Sequence, residues 1–523
     1  MKIILFRQTR RTILCILPAL LLLIPGCLKP DSLPVFQSGM QYPEISPVEA
    51  VSVSRDLQPQ FTDEDPMVTI AQGSLDLAVE QAIWLALRNN RDLKIQQIKP
   101  MIAGSFEAIE RGVYDPELFG ELEFSREKSS EAGINGSRIT VIEDDRTALI
   151  GLRQKLPTGT TLEAAVEHTD DDTDNSARIG LSITQSLLRG LGPAVNLVSV
   201  RQAAINTAVS NFELRGITEA LLAETEIAYW NYVLAARKID IFERSQTIAL
   251  QQLDEIVQRI EVGTLPRIEA AAAKAEVARR QQALIDVHSA LEESRLRLLR
   301  LINPGEKRLL DLQINATSTA EINPQLITDL ADRLLLAEKS RPDLNEARLR
   351  LRQNRLETIN TRNGLLPRLD LFITLGKSGY ADSFSESFKD LDGNNHDFSV
   401  GIKLSQYLNN RPARARDFAA RSSWRQATEA LENLKQIVEL DVRLAMNEFE
   451  RTRQQIAATR TTRLLQEETL QAEEERFDVG ASTALQVAQA QRDLLESAID
   501  EVEATINCRQ ALVSLYRAEG SLL

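Results

Sequence analysis

Arg259-Ile260-Glu261-Val262-Gly263 recurs as Arg476-Phe477-Asp478-Val479-Gly480, 217 residues further along the chain. In each copy the stretch follows a long helical pattern and precedes an alanine-rich one. A chain that interrupts two long helices at matching places carries an internal duplication. The two glycines read as turns at the tips of long helical hairpins. Hairpins of that kind serve assembly more readily than catalysis.

Further landmarks extend the repeat. Ala86 to Leu93 aligns with Ala337 to Leu344 at an offset of 251, and Pro116 meets Pro367 at the same offset. Thr184-Gln185-Ser186-Leu187 then aligns with Ser405-Gln406-Tyr407-Leu408 at an offset of 221, so the first copy carries 30 extra residues between these landmarks. Each copy reads helix, strands, long helix, tip, helix.

The strands lie between Pro116 and Gln185. Leu118 to Phe124, Ala148 to Leu152, Leu162 to Val166 and Ile179 to Ile183 alternate apolar and polar residues, while the second copy has only Leu369 to Leu375 and Phe398 to Leu404. The 30 extra residues amount to one added hairpin. Acidic loops cap the strands at Glu143-Asp144-Asp145 and Asp170 to Asp174. Short alternating strands between polar loops are the weak signature of a membrane β-barrel, but the strands alone favour a soluble sheet.

The helices separate these readings. The run from Ala194 to Val262 holds about 68 residues, or about 100 Å at 1.5 Å per residue. Leu250, Leu253, Val257 and Ile260 form one apolar stripe, and Leu234, Ile241 and Ile248 form a second at seven-residue steps. Val442, Ala445, Phe449, Thr452 and Ile456 repeat the device in the second copy. Two stripes on one helix imply neighbours on two sides, as for a stave in a barrel of helices. Shorter helices are expected at 76–112, 264–301, 328–363 and 482–519, with the second long helix at 410–478. Two short helices laid end to end would match one long one.

Composition narrows the function. A net charge of −14 offers no basic stripe for nucleic acid. His168, His288 and His396 are the only histidines and lack metal-ligand spacing, so no metal site is expected. No glycine-rich phosphate loop follows a strand, so an ATPase is not expected, nor any other enzyme or cofactor. Lys2, Arg7, Arg10 and Arg11 precede a short apolar stretch from Ile13 to Ile24, and Ile24-Pro25-Gly26-Cys27 resembles a lipobox with Cys27 as the acylated residue. Cys508 is then left unpaired, with core packing as its expected role. Residues 1–26 read as a signal peptide, 27–74 as a lipid-anchored extended linker, 75–302 as the first repeat, 303–327 as a connector and 328–523 as the second repeat with the C-terminal segment.

The fold class is therefore mostly α with a small β part: a duplicated helix–strand–helix repeat forming barrel staves, with strands for a shared transmembrane β-barrel. In this the chain resembles the TolC-type outer-membrane efflux family over about residues 75–519. The resemblance rests on the duplicated plan and the Val-Gly tips. It also rests on Gln185-Ser186-Leu187-Leu188-Arg189-Gly190 at a strand-to-helix junction and Ala228-Tyr229-Trp230-Asn231-Tyr232 in the long helix. It implies a homotrimer spanning the outer membrane and reaching into the periplasm, opened by a periplasmic adaptor and an inner-membrane transporter. Four to six strands cannot close a barrel alone, and an open edge is not tolerated in lipid, so chains must pool strands. Two strands per copy would give twelve per trimer, with the added hairpin expected outside the membrane.

The resemblance also assigns roles. Arg259, Val262, Gly263, Arg476, Val479 and Gly480 would form the adaptor-docking tips. Apart from the resemblance, residue type and position let Thr264, and Ser482 or Thr483, cap the following helices, with Pro266 in the first turn of the next helix. Acidic residues six and nine positions after the second tip glycine commonly ring the closed end. Here Gln486 and Gln489 stand there, and Glu269 holds the six-position of the first copy, making these three the candidate gate. The competing reading is a lipid-anchored periplasmic coiled-coil scaffold without a pore.

Overall fold

The computed structural model describes residues 70–71, 74–132, 138–171, 174–304, 309–320, 327 and 329–523. They lie in one compact unit, Met67–Leu523. The signal segment, Cys27 and most of the expected linker fall outside the described residues. Among the described residues no helix is long and apolar enough to cross a membrane.

The chain opens with β1 (Ile70–Ala71), β2 (Ser74–Leu77), α1 (Val79–Asn89) and α2 (Arg91–Gly112). Four antiparallel strands follow: β3 (Glu117–Ala132), β4 (Arg138–Lys155), β5 (Thr160–Asp170) and β6 (Asn175–Ser186). A single turn, α3 (Pro193–Asn196), leads into α4 (Val198–Glu261), and α5 (Ile268–Ile302) returns. β7 (Gln313–Ala316) connects the copies. The second copy runs α6 (Leu330–Ser340), α7 (Pro342–Asn363), β8 (Arg368–Ala381), α8 (Phe384–Lys389), β9 (His396–Ser405), α9 (Arg411–Asp478) and α10 (Ala484–Glu519).

The long helices have the expected length: α4, of 64 residues, spans about 96 Å and α9, of 68, about 102 Å. The second-copy stripe is borne out, with Val442, Phe449 and Thr452 buried. In the first copy the buried centre is Ile256, flanked by Leu253 and Ile260, while Ile248 and Leu250 stay on the surface. Cys508 is buried beside Phe449 and Ala511, as expected of a packing residue, and burial pushes its thiol pKa up.

The helices expected at 76–112 and 328–363 are each broken once. At Asn90 and Arg341 the backbone turns extended, with ψ of 125° and 123°. Arg341 precedes Pro342, whose ring disfavours a helical conformation at the residue before it. Asn90 caps α2 instead, its side chain accepting from the Leu93 N–H at 3.0 Å. These breaks are also where short helices meet end to end. Asn90 Nδ2 donates to the Leu301 carbonyl, and Asn303 Nδ2 donates to the Asn89 carbonyl, joining α5 to the α1–α2 junction. Arg341 does the same for α10, donating to the Ala518 carbonyl and to Asp441 of α9. The broken staves inferred from helix lengths are thus closed by side chains that reach free helix-end carbonyls.

Midway along α4 the Ala228–Tyr232 motif becomes the largest core. Tyr229 and Trp230 are fully buried and meet edge to face at 5.2 Å. Tyr229 Oη donates to the Leu77 carbonyl of β2 at 3.0 Å and accepts from the Ser318 N–H at 3.1 Å. Tyr232 Oη donates to the Ile314 carbonyl of β7. The motif therefore pins the small β1–β2–β7 sheet, in which β2 and β7 run parallel, onto the long helix. Tyr229→Phe leaves the part-buried Ser318 N–H without its partner, while the Leu77 carbonyl keeps only the Thr317 N–H. We expect a loss of about 1–3 kcal/mol, read as a lower unfolding midpoint in detergent, with the secondary-structure content unchanged at low temperature.

Beyond the helices lies a six-stranded sheet of order β3–β4–β5–β6–β8–β9, antiparallel throughout. The added hairpin is not set apart from it. β4 pairs with β5 in continuous register from Arg146↔Asp170 to Lys155↔Thr161. One face is apolar and exposed, including Leu118 and Leu122 of β3, Leu152 of β4, Leu181 of β6, Leu375 of β8 and Ile402 of β9. The other face carries Glu121, Glu163, Arg178 and Lys403. A collar joins sheet to helices. Leu187 N–H donates to the Leu369 carbonyl, Gly190 N–H to Asn363 Oδ1, and Asn196 Nδ2 to the Pro157 and Gly190 carbonyls. Gly159 has φ of 89°, and a Cβ there would lie 2.2 Å from the Gly190 carbonyl oxygen, so this turn admits only glycine.

Candidate functional site

Both tips end by the same local chemistry. In the first, the Gly263 N–H donates to Ile260 O at 3.1 Å and the Thr264 N–H to Arg259 O at 2.9 Å. In the second, the Gly480 N–H donates to Phe477 O at 3.1 Å and the Ala481 N–H to Arg476 O at 2.8 Å. These paired bonds are a Schellman closure, which requires a left-handed residue after the cap. Gly263 and Gly480 supply it with φ of 82° and 75°.

The return helices start differently. Thr483 caps α10 in a capping box: its Oγ1 accepts from the Gln486 N–H, and Gln486 Oε1 accepts from the Thr483 N–H at 3.0 Å. Thr264 does not cap α5. Its hydroxyl donates back to the Arg259 carbonyl at 2.8 Å, closing α4, and α5 begins four residues later. Pro266 precedes that helix, its carbonyl accepting from the Glu269 N–H. Ser482 spends its hydroxyl on Glu473 and Gln486 rather than on a helix end.

The two tips lie side by side. Ile256 of α4, Ala273 of α5, Phe477 of α9, and Ala484 and Val487 of α10 share one apolar cluster. Arg259 bridges the hairpins: its Nη2 meets Asp478 Oδ1 at 2.6 Å, and its guanidinium lies 5.1 Å from the Phe477 ring centre. The hydrogen bond to Asp478 raises the Arg259 pKa further above its ordinary value. Arg476 differs: among the described residues it pairs with Glu473 on its own helix. Val262 and Val479, one at each tip, are both 79% exposed.

Further from the tips Glu276 and Arg280 of α5 are almost fully buried. Their ion pair of 2.9 Å is extended by Arg492 of α10 at 3.5 Å. Desolvation lowers the Arg280 pKa, countered by Glu276. A buried pair contributes little net stability but strongly penalises any register that separates it. The sequence held no signal for this contact, since both residues sit in an alanine-rich stretch that reads as a solvated face. Of the candidate gate, Glu269 is half-buried in the first turn of α5. Gln486 and Gln489 lie exposed one turn apart on α10, and Gln486 is held by its cap.

Residues 334–521 match the model of the outer membrane efflux protein family. The resemblance to the TolC-type efflux family holds. No curated protein matches the chain. Among solved structures, the outer-membrane channel OprN is 16% identical with a TM-score of 0.65, covering 85% of this chain and 90% of its own. The Campylobacter jejuni CmeC outer membrane channel is 16% identical with a TM-score of 0.63, covering 85% of each chain. The open-state Neisseria gonorrhoeae MtrE outer membrane channel is 20% identical with a TM-score of 0.60, covering 85% of this chain and 89% of its own. At these identities the likeness establishes the fold: this chain has the protomer fold of a TolC-type channel across both repeats.

The tip glycines offer a direct test. No atom would lie within 4 Å of a Cβ at Gly480, so the cost of a side chain there is torsional, about 1–2 kcal/mol for a left-handed residue. Gly480→Val should open the second tip and speed trypsin cleavage after Arg476. Gly480→Asn, which tolerates that conformation, should be cut at the original rate. Equal cleavage of all three proteins would show that the tip does not depend on glycine.

Proposed function

We propose that three copies of this chain form the outer-membrane duct of a tripartite efflux pump or type I secretion system. The observation that carries the reading is the pairing of opposite ends. One end is a sheet with an exposed apolar face and open edges. The other, about 100 Å away along α4 and α9, is a pair of tips that each display one valine. A sheet of that kind belongs in a bilayer, and its edges need other chains.

The helices favour the same assembly. Ile95, Ile98, Ile102, Phe106, Ile109 and Val113 form an exposed apolar seam along α2 and just past its end, at three- and four-residue spacings. An uncovered seam of this length is a helix-packing surface without its partner. A neighbouring copy is the natural occupant, placing the helices as staves around a periplasmic tunnel. A scaffold without a pore would use the seam but has no use for the apolar sheet face. Cys27 would add an acyl anchor in the same membrane. The energy for transport comes from an inner-membrane transporter, and the chain itself is a conduit.

Adaptor hairpins would dock on the tips, with Val262 and Val479 as apolar contacts and Arg259 and Arg476 beside them. Gly263 and Gly480 hold the turns that present these side chains. Glu269, Gln486 and Gln489 would line the closing end, with the Gln486 side chain engaged in its helix cap. Opening then means separating the tips against the Arg259–Asp478 link and the shared apolar cluster.

The purified protein should run as a trimer in detergent and conduct in planar bilayers; a non-conducting monomer would leave only the scaffold. Val479→Asp should abolish export in cells that contain the pump while single-channel conductance stays unchanged. Gln489→Asp should make the current at least several-fold more sensitive to divalent cations. An unchanged cation response would remove Gln489 from the gate.

A further inference from the structure

We infer that the membrane barrel of this protein has eighteen strands, six from each of three copies, with the added β3–β4 hairpin inside the membrane wall. The inference rests on the channel reading above and concerns how the wall is built.

The apolar face includes the added hairpin without a break. Leu118 pairs with Leu152, Gly120 with Ile150 and Leu122 with Ala148. In register with these lie Ala164, Val166 and His168 of β5. Leu122, on the outermost strand, is 77% exposed. If the hairpin stood outside the bilayer, Leu118, Leu122, Phe124 and Leu152 would face water, on strands whose opposite face is already acidic.

The apolar band is also staggered as a closed wall requires. Counting away from the helices, the last row that is apolar on both strands of the first hairpin is Leu122–Ala148, since Phe124 pairs with Arg146 and Ile142 with Lys128. On the second hairpin the row is Val166–Ile179, two residues lower in register, where His168 above it packs against Phe384 and Phe388 of α8. On the third it is Leu375–Phe398, two residues lower again, with Lys377 and His396 above it. Barrel strands tilt by about 35–45°, so a level membrane band must cross successive strands at shifting register. The first hairpin falls on the same progression as the other two, as a barrel member does.

The free edges suit one another. β3 runs away from the helices and β9 runs back toward them, so β9 of one copy can pair antiparallel with β3 of the next and close a ring. On the polar face β3 presents Glu117 and Glu121 near its foot, and β9 presents Lys403 near its own. Barrel diameter grows roughly in proportion to strand number, and walls of about 16–18 strands leave an aqueous channel. An eighteen-stranded mouth would be about half as wide again as a twelve-stranded one, leaving the helical tip as the constriction.

The test uses the full-length protein in vesicles containing brominated phospholipid. Leu375→Trp, on β8, lies in the wall whether it has twelve or eighteen strands, while Leu122→Trp lies in it only with eighteen. Equal quenching of the two tryptophans above the native background is expected, and Leu118→Trp provides a second position on β3. In parallel, Glu121→Cys with Lys403→Cys should be linked by a short bismaleimide into covalent trimers. Quenching at position 375 without quenching at 122 or 118, or linkage of Lys403→Cys to Glu163→Cys on β5 instead, would overturn the inference and leave twelve strands. Absence of quenching at position 375 as well would remove the barrel, and the channel reading with it.

Discussion

Unpaired backbone at the edges of an apolar-faced sheet is the constraint from which the rest of this molecule follows. Six antiparallel strands, from β3 to β9, satisfy one another internally but leave one edge of β3 and one of β9 open. In water such edges invite aggregation, and in hydrocarbon each unmatched N–H and C=O costs several kcal/mol. The chain cannot fold its own sheet shut, because six strands are fewer than the smallest membrane barrels contain. On the proposed channel reading, assembly is therefore part of folding. The exposed seam on α2 extends the same dependence along the helical region.

The helical part answers a second constraint, reach. A single helix of about 100 Å needs packing on two sides for most of its length. The chain meets this by setting α2 and α5 along α4, and α7 and α10 along α9. Each pair leaves a joint where helix ends would have unsatisfied carbonyls. Asn90 and Asn303 fill one joint, and Arg341 fills the other. The duplicated halves have reached equivalent joints by different side chains. They also share tip geometry but not tip electrostatics, since Arg259 reaches across to Asp478 while Arg476 stays on its own helix.

Much of this was legible in the chain. The tip turns were, because a left-handed residue after a long helix nearly demands glycine. The six strands and the second-copy stripe were too, because alternation and heptad spacing are local patterns. Thr264 was misread as a cap: a hydroxyl after a helix end can bond backward or forward, and only the position of α5 decides. Asn90 was visible as a repeat landmark but not as a helix break, since an asparagine within an apolar pattern reads as a surface residue until its partner, the Leu301 carbonyl, is in place. Glu276 and Arg280 gave no warning of burial at all.

The added hairpin marks the boundary most clearly. Sequence by itself determined that two extra strands exist, that each has an apolar and a polar face, and that the repeat ends in paired tips. The strands and their two faces follow from a period of two along each segment, and the tips from a glycine that recurs after each long helix. Whether those strands stand apart or join the sheet depends on pairing between Arg146–Lys155 and Thr161–Asp170, and on whether their apolar faces align. Register is a relation between segments, and a one-residue slip would turn every side chain to the opposite face. Only the tertiary structure, by fixing that register, decided that the hairpin shares one continuous apolar surface with the other four strands.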